Sequence, residues 1–237
     1  MAVSSEHSSE WLHAIPDPNM NLLMDDTSLK IAVGLRLSTK LCCTYRCVCG
    51  SVVDEHARHG FHCKMAQGRF KRHWEANNII HKALGACDCP SKLEPTNLCE
   101  DQKRPDGYTI FAYKAGKPLA WDFTTPCTVA PSNISASIQG AGKTANKAEV
   151  QKSRKYKELD TKFLVTPIAV ETYGSFGEKG KKLIDEIGNM MIEKFSDKRS
   201  KFHLYQRISM AVQRGNVASV LGTVGHQDKL NEIFYLE

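Results

Sequence analysis

The spacing of apolar residues, together with capping residues and helix-favouring composition, predicts five helices in this chain. They are expected at about 29–35, 68–84, 144–159, 177–191 and 200–213. Residues 25–28, Asp-Asp-Thr-Ser, offer N-cap candidates for the first of them, and the pair Gly215 and Asn216 predicts where the last one ends. The apolar face of the second helix is expected to consist of Phe70, Trp74, Ile79, Ile80 and Leu84.

Short runs of β-branched and aromatic residues predict strands between these helices. Segments 108–113 and 119–124 are two such runs, and the residues between them, Lys-Ala-Gly-Lys-Pro, are typical of a hairpin connection. Segment 163–171 is a third run, in which Pro167 predicts a bulge or a sheet edge. The order of helices and strands therefore indicates an α/β protein with a small mixed sheet.

Composition narrows the class of protein without deciding it. The 237 residues are 41% apolar and 24% charged, which is typical of a chain that buries a core. A net charge of +6 suits a polyanionic partner. No apolar run approaches the roughly 18 residues of a membrane span, and the polar N-terminus does not resemble a signal peptide. We therefore expect neither membrane insertion nor secretion, and three regions: a lead-in over 1–40, a Cys/His segment over 41–66 and a main domain over 67–237.

Candidate metal ligands are concentrated between residues 42 and 63. Five of the nine cysteines and three histidines fall in this window. Cys47, Cys49, His59 and Cys63 form a C-x-C…H-x₃-C array, and such thiolate and imidazole donors suit a structural Zn²⁺ ion. The alternatives are a different ligand set that includes Cys42, Cys43, His56 or His62, or free thiols in a cysteine-rich loop.

Two aspartates frame the predicted hairpin. Asp106 precedes one strand and Asp122 lies near the end of the next, so a hairpin can bring both carboxylates to one end of a sheet. A pair of carboxylates with a phosphate ligand suits Mg²⁺, and such a site hydrolyses phosphodiesters. Glu94 is a candidate third ligand. The simpler interpretation is that the Pro-Asp-Gly sequence around Asp106 is an ordinary turn.

The predicted helix after this hairpin carries Lys152 and Lys155, one turn apart on the same face. Either ammonium group can orient the attacking water or stabilise charge on the phosphate. Tyr156 beside Lys155 is expected to fix the register of the helix. We therefore rank Lys155 first and Lys152 second. A helix with this spacing of lysines is otherwise most often a solvated face.

Together these motifs resemble the PD-(D/E)xK nuclease core, in particular the restriction-enzyme-like endonuclease domain of site-specific non-LTR retrotransposons. The resemblance rests on Arg-Pro-Asp-Gly at 104–107, Trp-Asp-Phe-Thr at 121–124 and the Cys/His array, and runs from about Trp11 to Val224. It implies a CCHC zinc knuckle before a restriction-endonuclease-like core, with the catalytic lysine moved to the following helix, at Lys152 or Lys155. This chain departs from the pattern at Thr124, where the motif lysine usually stands, and at 77–78, where Asn-Asn replaces Asn-Asp.

The resemblance implies a Mg²⁺-dependent endonuclease that nicks or cleaves duplex DNA in the nucleus and exposes a 3′-OH for reverse transcription. Element RNA or a reverse transcriptase would then be further partners, and the oligomeric state stays open. Phosphate contacts are expected from the cations Arg69, Lys71, Arg72 and Arg104. The alternatives are a catalytically inactive zinc-knuckle module that binds nucleic acid, or a decayed nuclease fold kept for a structural role.

Overall fold

The structure is a computed structural model that describes residues 2–96, 98, 104–225 and 229–236. Its helices are α1 (Asp26–Leu37), α2 (Gly68–Ala86), α3 (Ile134–Gln139), α4 (Lys143–Lys155), α5 (Glu178–Phe195), α6 (Ser200–Leu221) and α7 (Leu230–Ile233). Its strands are β1 (Tyr45–Arg46), β2 (Val52–Val53), β3 (Ser91–Leu93), β4 (Gly107–Thr109), β5 (Leu119–Thr124) and β6 (Leu164–Ala169). Short 3₁₀ helices lie at Ala2–Ser4, Glu10–Leu12, Arg58–Phe61, Pro131–Asn133 and Lys157–Thr161.

The main sheet has four strands in the order β3-β4-β5-β6. Strands β3, β4 and β5 pair antiparallel, and β6 joins β5 in parallel. Pro167 lies in the outer strand β6, opposite Asp122, so the sheet edge expected from this proline is confirmed. The chain is thus a mixed α/β protein in which helices flank a small mixed sheet, with a Cys/His cluster near the N-terminus.

Besides a third, smaller cluster that holds Tyr156 and Leu159, two large apolar clusters form most of the core. One lies between the main sheet and helices α2, α5 and α6, and it buries Trp121 and Phe123 of β5. The other joins α1, the Cys/His segment and the second half of α6. Helix α6 contributes to both clusters, with Ile208 in the first and Val217 in the second. Within the described residues, no helix is long and apolar enough to cross a membrane.

The predicted end of α6 at Gly215 and Asn216 is wrong, because the helix continues to Leu221. Helix α2 crosses α6 at this point. A Cβ atom on Gly215 would lie 2.3 Å from Cβ of Arg72, so the helices approach this closely only because the residue is glycine. Asn216 is buried and accepts a hydrogen bond from the guanidinium of Arg72. Packing of α2 against α6 therefore explains a pair of residues that resembled a helix cap.

The expected apolar face of α2 is also partly wrong. Ile79, Ile80 and Leu84 are buried as expected, but Phe70 and Trp74 are exposed. The buried face includes polar residues instead, because α2 crosses α6 through hydrogen bonds as well as apolar contacts. The strand expected at 108–113 ends at Thr109, and the helix expected at 144–159 ends at Lys155 and is followed by a 3₁₀ turn.

Candidate metal centre and carboxylate site

The ligand atoms of Cys47, Cys49, His59 and Cys63 all lie within 4.8 Å of one another. The Sγ atoms of Cys47 and Cys63 are 3.6 Å apart, and Sγ of Cys49 is 3.2 Å from Nε2 of His59. Four donors this close can surround one ion, and three sulfurs with one imidazole are compatible with zinc. The sequence prediction of these four residues as one metal-binding group agrees with the structure.

Two backbone turns bring these donors together. Strands β1 and β2 form a short antiparallel hairpin, and its turn carries Cys47 and Cys49. Within the turn, Gly50 has a φ of +86°, a conformation that side chains with a Cβ atom rarely adopt. The 3₁₀ helix Arg58–Phe61 supplies the other side, where the amide of Cys63 donates to the carbonyl of His59. The single-residue gap between the first two cysteines is therefore accommodated by a tight turn.

The thiols of the cluster differ in acidity. Hydrogen bonding from Ser51 lowers the pKa of Cys49 to about 6, so this exposed thiol is largely ionised at neutral pH. Burial raises the pKa of Cys47 to about 12, so its thiol keeps its proton in the absence of a metal. Metal binding must displace that proton, which makes affinity depend on pH.

The alternative ligands have other partners. The thiol of Cys42 is buried and donates to the carbonyl of Asp54 at 3.4 Å. Nδ1 of His56 lies 2.9 Å from the carbonyl of Thr39. His62 packs edge-on against the ring of His59. None of these three residues belongs to the described group of donors.

Asp122 lies in β5, and Asp106 directly precedes the neighbouring strand β4 of the main sheet. The amide of Asp106 donates to the carbonyl of Trp121 at 2.9 Å, which extends the β4–β5 pairing by one residue. The carboxylate of Asp106 accepts a 2.6 Å hydrogen bond from the amide of Phe123, the residue directly after Asp122. Gly107 is the first residue of β4 and has no room for a Cβ atom, because the ring of Trp121 would lie 2.2 Å away. The Pro-Asp-Gly sequence therefore leads directly into β4, with Gly107 as the first residue of the strand, and is not an isolated turn.

Asp122 is 3% exposed and faces α4, away from the core that holds its neighbours Trp121 and Phe123. Its Oδ1 accepts a hydrogen bond from the hydroxyl of Tyr156 at 2.7 Å. Its Oδ2 lies 2.6 Å from Nζ of Lys152, although no well-directed hydrogen bond reaches that oxygen from the described residues. Burial raises the pKa of Asp122, and the charge of Asp106 raises it further, whereas Lys152 opposes both effects.

His73 of α2 also belongs to the site, although its contact with Asp106 was not predicted from the sequence. Its Nε2 lies 3.1 Å from Oδ1 of Asp106. The hydrogen bond to Asp106 raises the pKa of His73. Asn77, one turn further along α2, accepts a hydrogen bond from the indole of Trp121 and thereby ties the helix to β5. The i, i+4 spacing of His73 and Asn77 is the only signal that the sequence offered.

The structure separates the two candidate lysines. Lys152 contacts Asp122, whereas Nζ of Lys155 donates to the hydroxyl of Tyr156 at 2.7 Å and lies over its ring. The order of preference is therefore reversed in favour of Lys152. Glu94 adjoins Asp106 through its backbone amide, but its exposed carboxylate pairs with Arg104 at 3.3 Å.

Of the four cations expected to contact DNA, Arg69, Lys71 and Arg104 are exposed. Arg72 is only 3% exposed, so its expected place on the surface is wrong. Burial lowers its pKa to about 10, and its Nε has no hydrogen-bond partner among the described residues. The side chain instead holds α2 against α6.

Two cavities meet at Thr124 and Lys152. One, of about 240 Å³, is lined by residues of α2 that include Arg69, Phe70 and His73. The other, of about 330 Å³, is lined by polar residues that include Asn133 and Lys147. A ligand that extends through both would therefore pass the ion pair of Lys152.

Comparison of the chain with known protein families finds no match, and no curated protein matches its sequence.

Proposed function

We propose that the protein is a Mg²⁺-dependent DNA endonuclease of the PD-(D/E)xK type, similar to the endonucleases of site-specific non-LTR retrotransposons. The observation that carries this proposal is the contact of Lys152 with the buried carboxylate of Asp122. A lysine from the helix after the second acidic strand would thus take the role of the motif lysine, whose usual place in the sequence is held by Thr124. Asp106, directly before the neighbouring strand, provides the second carboxylate.

The residues of the site fit a hard divalent cation. Oδ2 of Asp122 is buried and pairs with Nζ of Lys152 at 2.6 Å, so this oxygen would become available to an ion when Lys152 moves to the phosphate. Asp106 and Asp122 would hold Mg²⁺ together with phosphate and water oxygens. When bound, the ion would polarise the phosphoryl group and activate water for its attack.

The protein groups around the carboxylates have positioning roles. The amide of Phe123 and the imidazole of His73 fix the two oxygens of Asp106. The hydroxyl of Tyr156 fixes one oxygen of Asp122. Lys152 would place its positive charge beside the scissile phosphate and stabilise the charge that develops there. The partly exposed Lys152 can leave Asp122 for the phosphate without breaking the core.

DNA would run through the two cavities that meet at Thr124 and Lys152. Arg69 lines the first and Lys147 the second, so both sides of the scissile phosphate meet a cation. The Cys/His cluster would hold a structural Zn²⁺ ion that orders the segment before α2. Since α2 follows this segment directly, the knuckle would fix the start of the helix that carries Arg69 and His73.

The test is cleavage of supercoiled plasmid by purified protein with and without Mg²⁺. We expect nicked or linear product from the wild type and none from Asp106→Ala. Asp26→Ala is the matched control, since this carboxylate is exposed in the first turn of α1 and should leave cleavage unchanged. DNA binding without cleavage under any divalent cation would contradict the endonuclease and favour a binding module.

A further inference from the structure

We propose that Phe70 and Trp74 of α2 form a stacking platform for nucleic-acid bases beside the carboxylate site; this rests on the proposed function. Phe70 is 77% exposed and Trp74 is 63% exposed. They lie four residues apart, so their side chains are neighbours on one face of the helix. Two neighbouring exposed aromatic rings on one helix face form an apolar patch of the kind that marks interaction surfaces.

The platform adjoins the proposed reaction centre through one helix. Phe70 lines the same cavity as His73 and Lys152. His73, which contacts Asp106, directly precedes Trp74 in the sequence. A strand whose phosphate reaches Lys152 therefore has its neighbouring bases within reach of Phe70, and Trp74 continues the platform along α2.

The charges around the platform favour a nucleic acid over an apolar protein surface. Arg69 and Lys71 flank Phe70, both are exposed, and neither forms an ion pair among the described residues. A protein partner that covered Phe70 and Trp74 would have to desolvate these cations. A nucleic acid satisfies both kinds of group at once, since its phosphates pair with the cations while its bases stack on the rings.

Stacking on Phe70 and Trp74 requires bases that are not enclosed in a duplex. The occupant is therefore an unpaired stretch next to the cleavage site, such as a frayed end, a bulge or a single-stranded flap. The platform would then favour DNA that is open beside the scissile phosphate. Intact duplex would be held by phosphate contacts alone.

Trp74 allows a test that does not depend on cleavage. The chain has three tryptophans, and Trp11 and Trp121 are buried, so changes in exposed tryptophan emission report on Trp74. Single-stranded oligonucleotide, added without Mg²⁺ and without chelator, should quench this emission. Inorganic polyphosphate carries the charge without the bases and should leave the emission nearly unchanged. Trp74→Phe should abolish the signal and keep most of the affinity.

Affinity measurements complete the test. Phe70→Ala and Trp74→Ala should each weaken binding to single-stranded or flapped DNA about tenfold. Their effect on intact duplex should be smaller. Phe111→Ala is the matched control, because Phe111 is 69% exposed and follows the other end of β4. Circular dichroism and metal content should show that each variant is folded.

Three outcomes would overturn the platform: unchanged emission with bound oligonucleotide, equal quenching by polyphosphate, or dimers that form without DNA and are lost in Trp74→Ala. The last outcome would assign the aromatic face to a second copy of the chain. Quenching without any plasmid cleavage would instead contradict the endonuclease and leave the platform standing. Cleavage without quenching would support the endonuclease and contradict the platform.

Discussion

The donors of the Cys/His cluster all come from one short segment, Cys47 to Cys63, whereas the carboxylate site collects side chains from α2, α4, β5 and the residue before β4. In the first region a tight hairpin and one 3₁₀ turn are enough to bring four donors together. In the second, the strand pairing of the main sheet must form before Asp106 and Asp122 become neighbours. The Cys/His cluster is therefore assembled by local structure, whereas the carboxylate site exists only once the main sheet has formed.

The two sites also differ in their exposure to solvent and in the cost of their charges. Cys49 is exposed and its thiol is acidic, so the cluster is ready to take up a metal from solvent. Asp122 is buried, and its raised pKa reflects the cost of holding a charge inside the protein. We infer that a metal stabilises the first region, whereas the second carries a destabilising charge that chemistry requires.

Loss of the metal from the Cys/His cluster should have the largest effect. Structural zinc contributes on the order of 10 kcal/mol to the order of a small segment. A chelator, or Cys47→Ser, should therefore remove the metal and raise hydrogen exchange in residues 45–63, while exchange in β5 stays slow. Metal content and exchange mass spectrometry measure this. Cys87→Ser is the control, because Cys87 is buried outside the cluster. Equal loss of protection in β5 would show that the regions are not independent.

Replacement of Lys152 should have the next largest effect, and it affects only the carboxylate site. Lys152→Ala should slow single-turnover cleavage about 10²-fold, as loss of one positioned charge typically does, with DNA affinity nearly unchanged. Lys155→Ala on the same helix is the comparison and should slow cleavage less than Lys152→Ala does, since Lys155 reaches Asp122 only through the hydroxyl of Tyr156. The opposite order would restore Lys155 as the working lysine.

The contrast between a site formed by one segment and a site formed by several elements explains which residues could be predicted from the sequence. Cys47, Cys49, His59 and Cys63 could be grouped from spacing alone because short segments limit the geometry. The strand of Asp122 was also predictable, from its β-branched and aromatic residues, and Asp106 was correctly placed just before the preceding strand. His73 could not be assigned, because its partner Asp106 lies 33 residues further along the chain. Arg72 was misplaced because periodicity does not show that a guanidinium can be buried against Asn216 of another helix.

The crossing of α2 and α6 joins the two regions, and its disruption should have an intermediate effect. Gly215→Ala places a methyl group against Arg72, so α2 must shift. We expect a loss of about 1 to 3 kcal/mol in the free energy of unfolding, measured by urea denaturation. Gly85→Ala is the control, because a Cβ atom there meets nothing within 4 Å. Unchanged stability of Gly215→Ala would show that the crossing adapts freely.

The smallest expected effect is on the free energy of unfolding, and it is a gain in stability, whereas the other substitutions cause losses. Burial raises the pKa of Asp122 in the folded state. The stability associated with the protonated carboxyl is therefore present below the unfolded pKa, about 3.9, and is lost as the pH rises through the folded value. Asp122→Asn removes this titration and should stabilise the fold by about 0.5 to 2 kcal/mol at pH 7, while it abolishes cleavage.

The pH dependence distinguishes this cause from a simple packing effect. The difference in unfolding free energy between Asp122→Asn and the wild type should shrink as the pH falls through the raised pKa of the wild-type carboxyl. Asp26→Asn, which alters an exposed carboxylate in α1, is the control for the substitution itself. If Asp122→Asn were less stable than the wild type at pH 7, the pairing with Lys152 would outweigh burial, and Asp122 would be a structural ion pair as much as a reactive group.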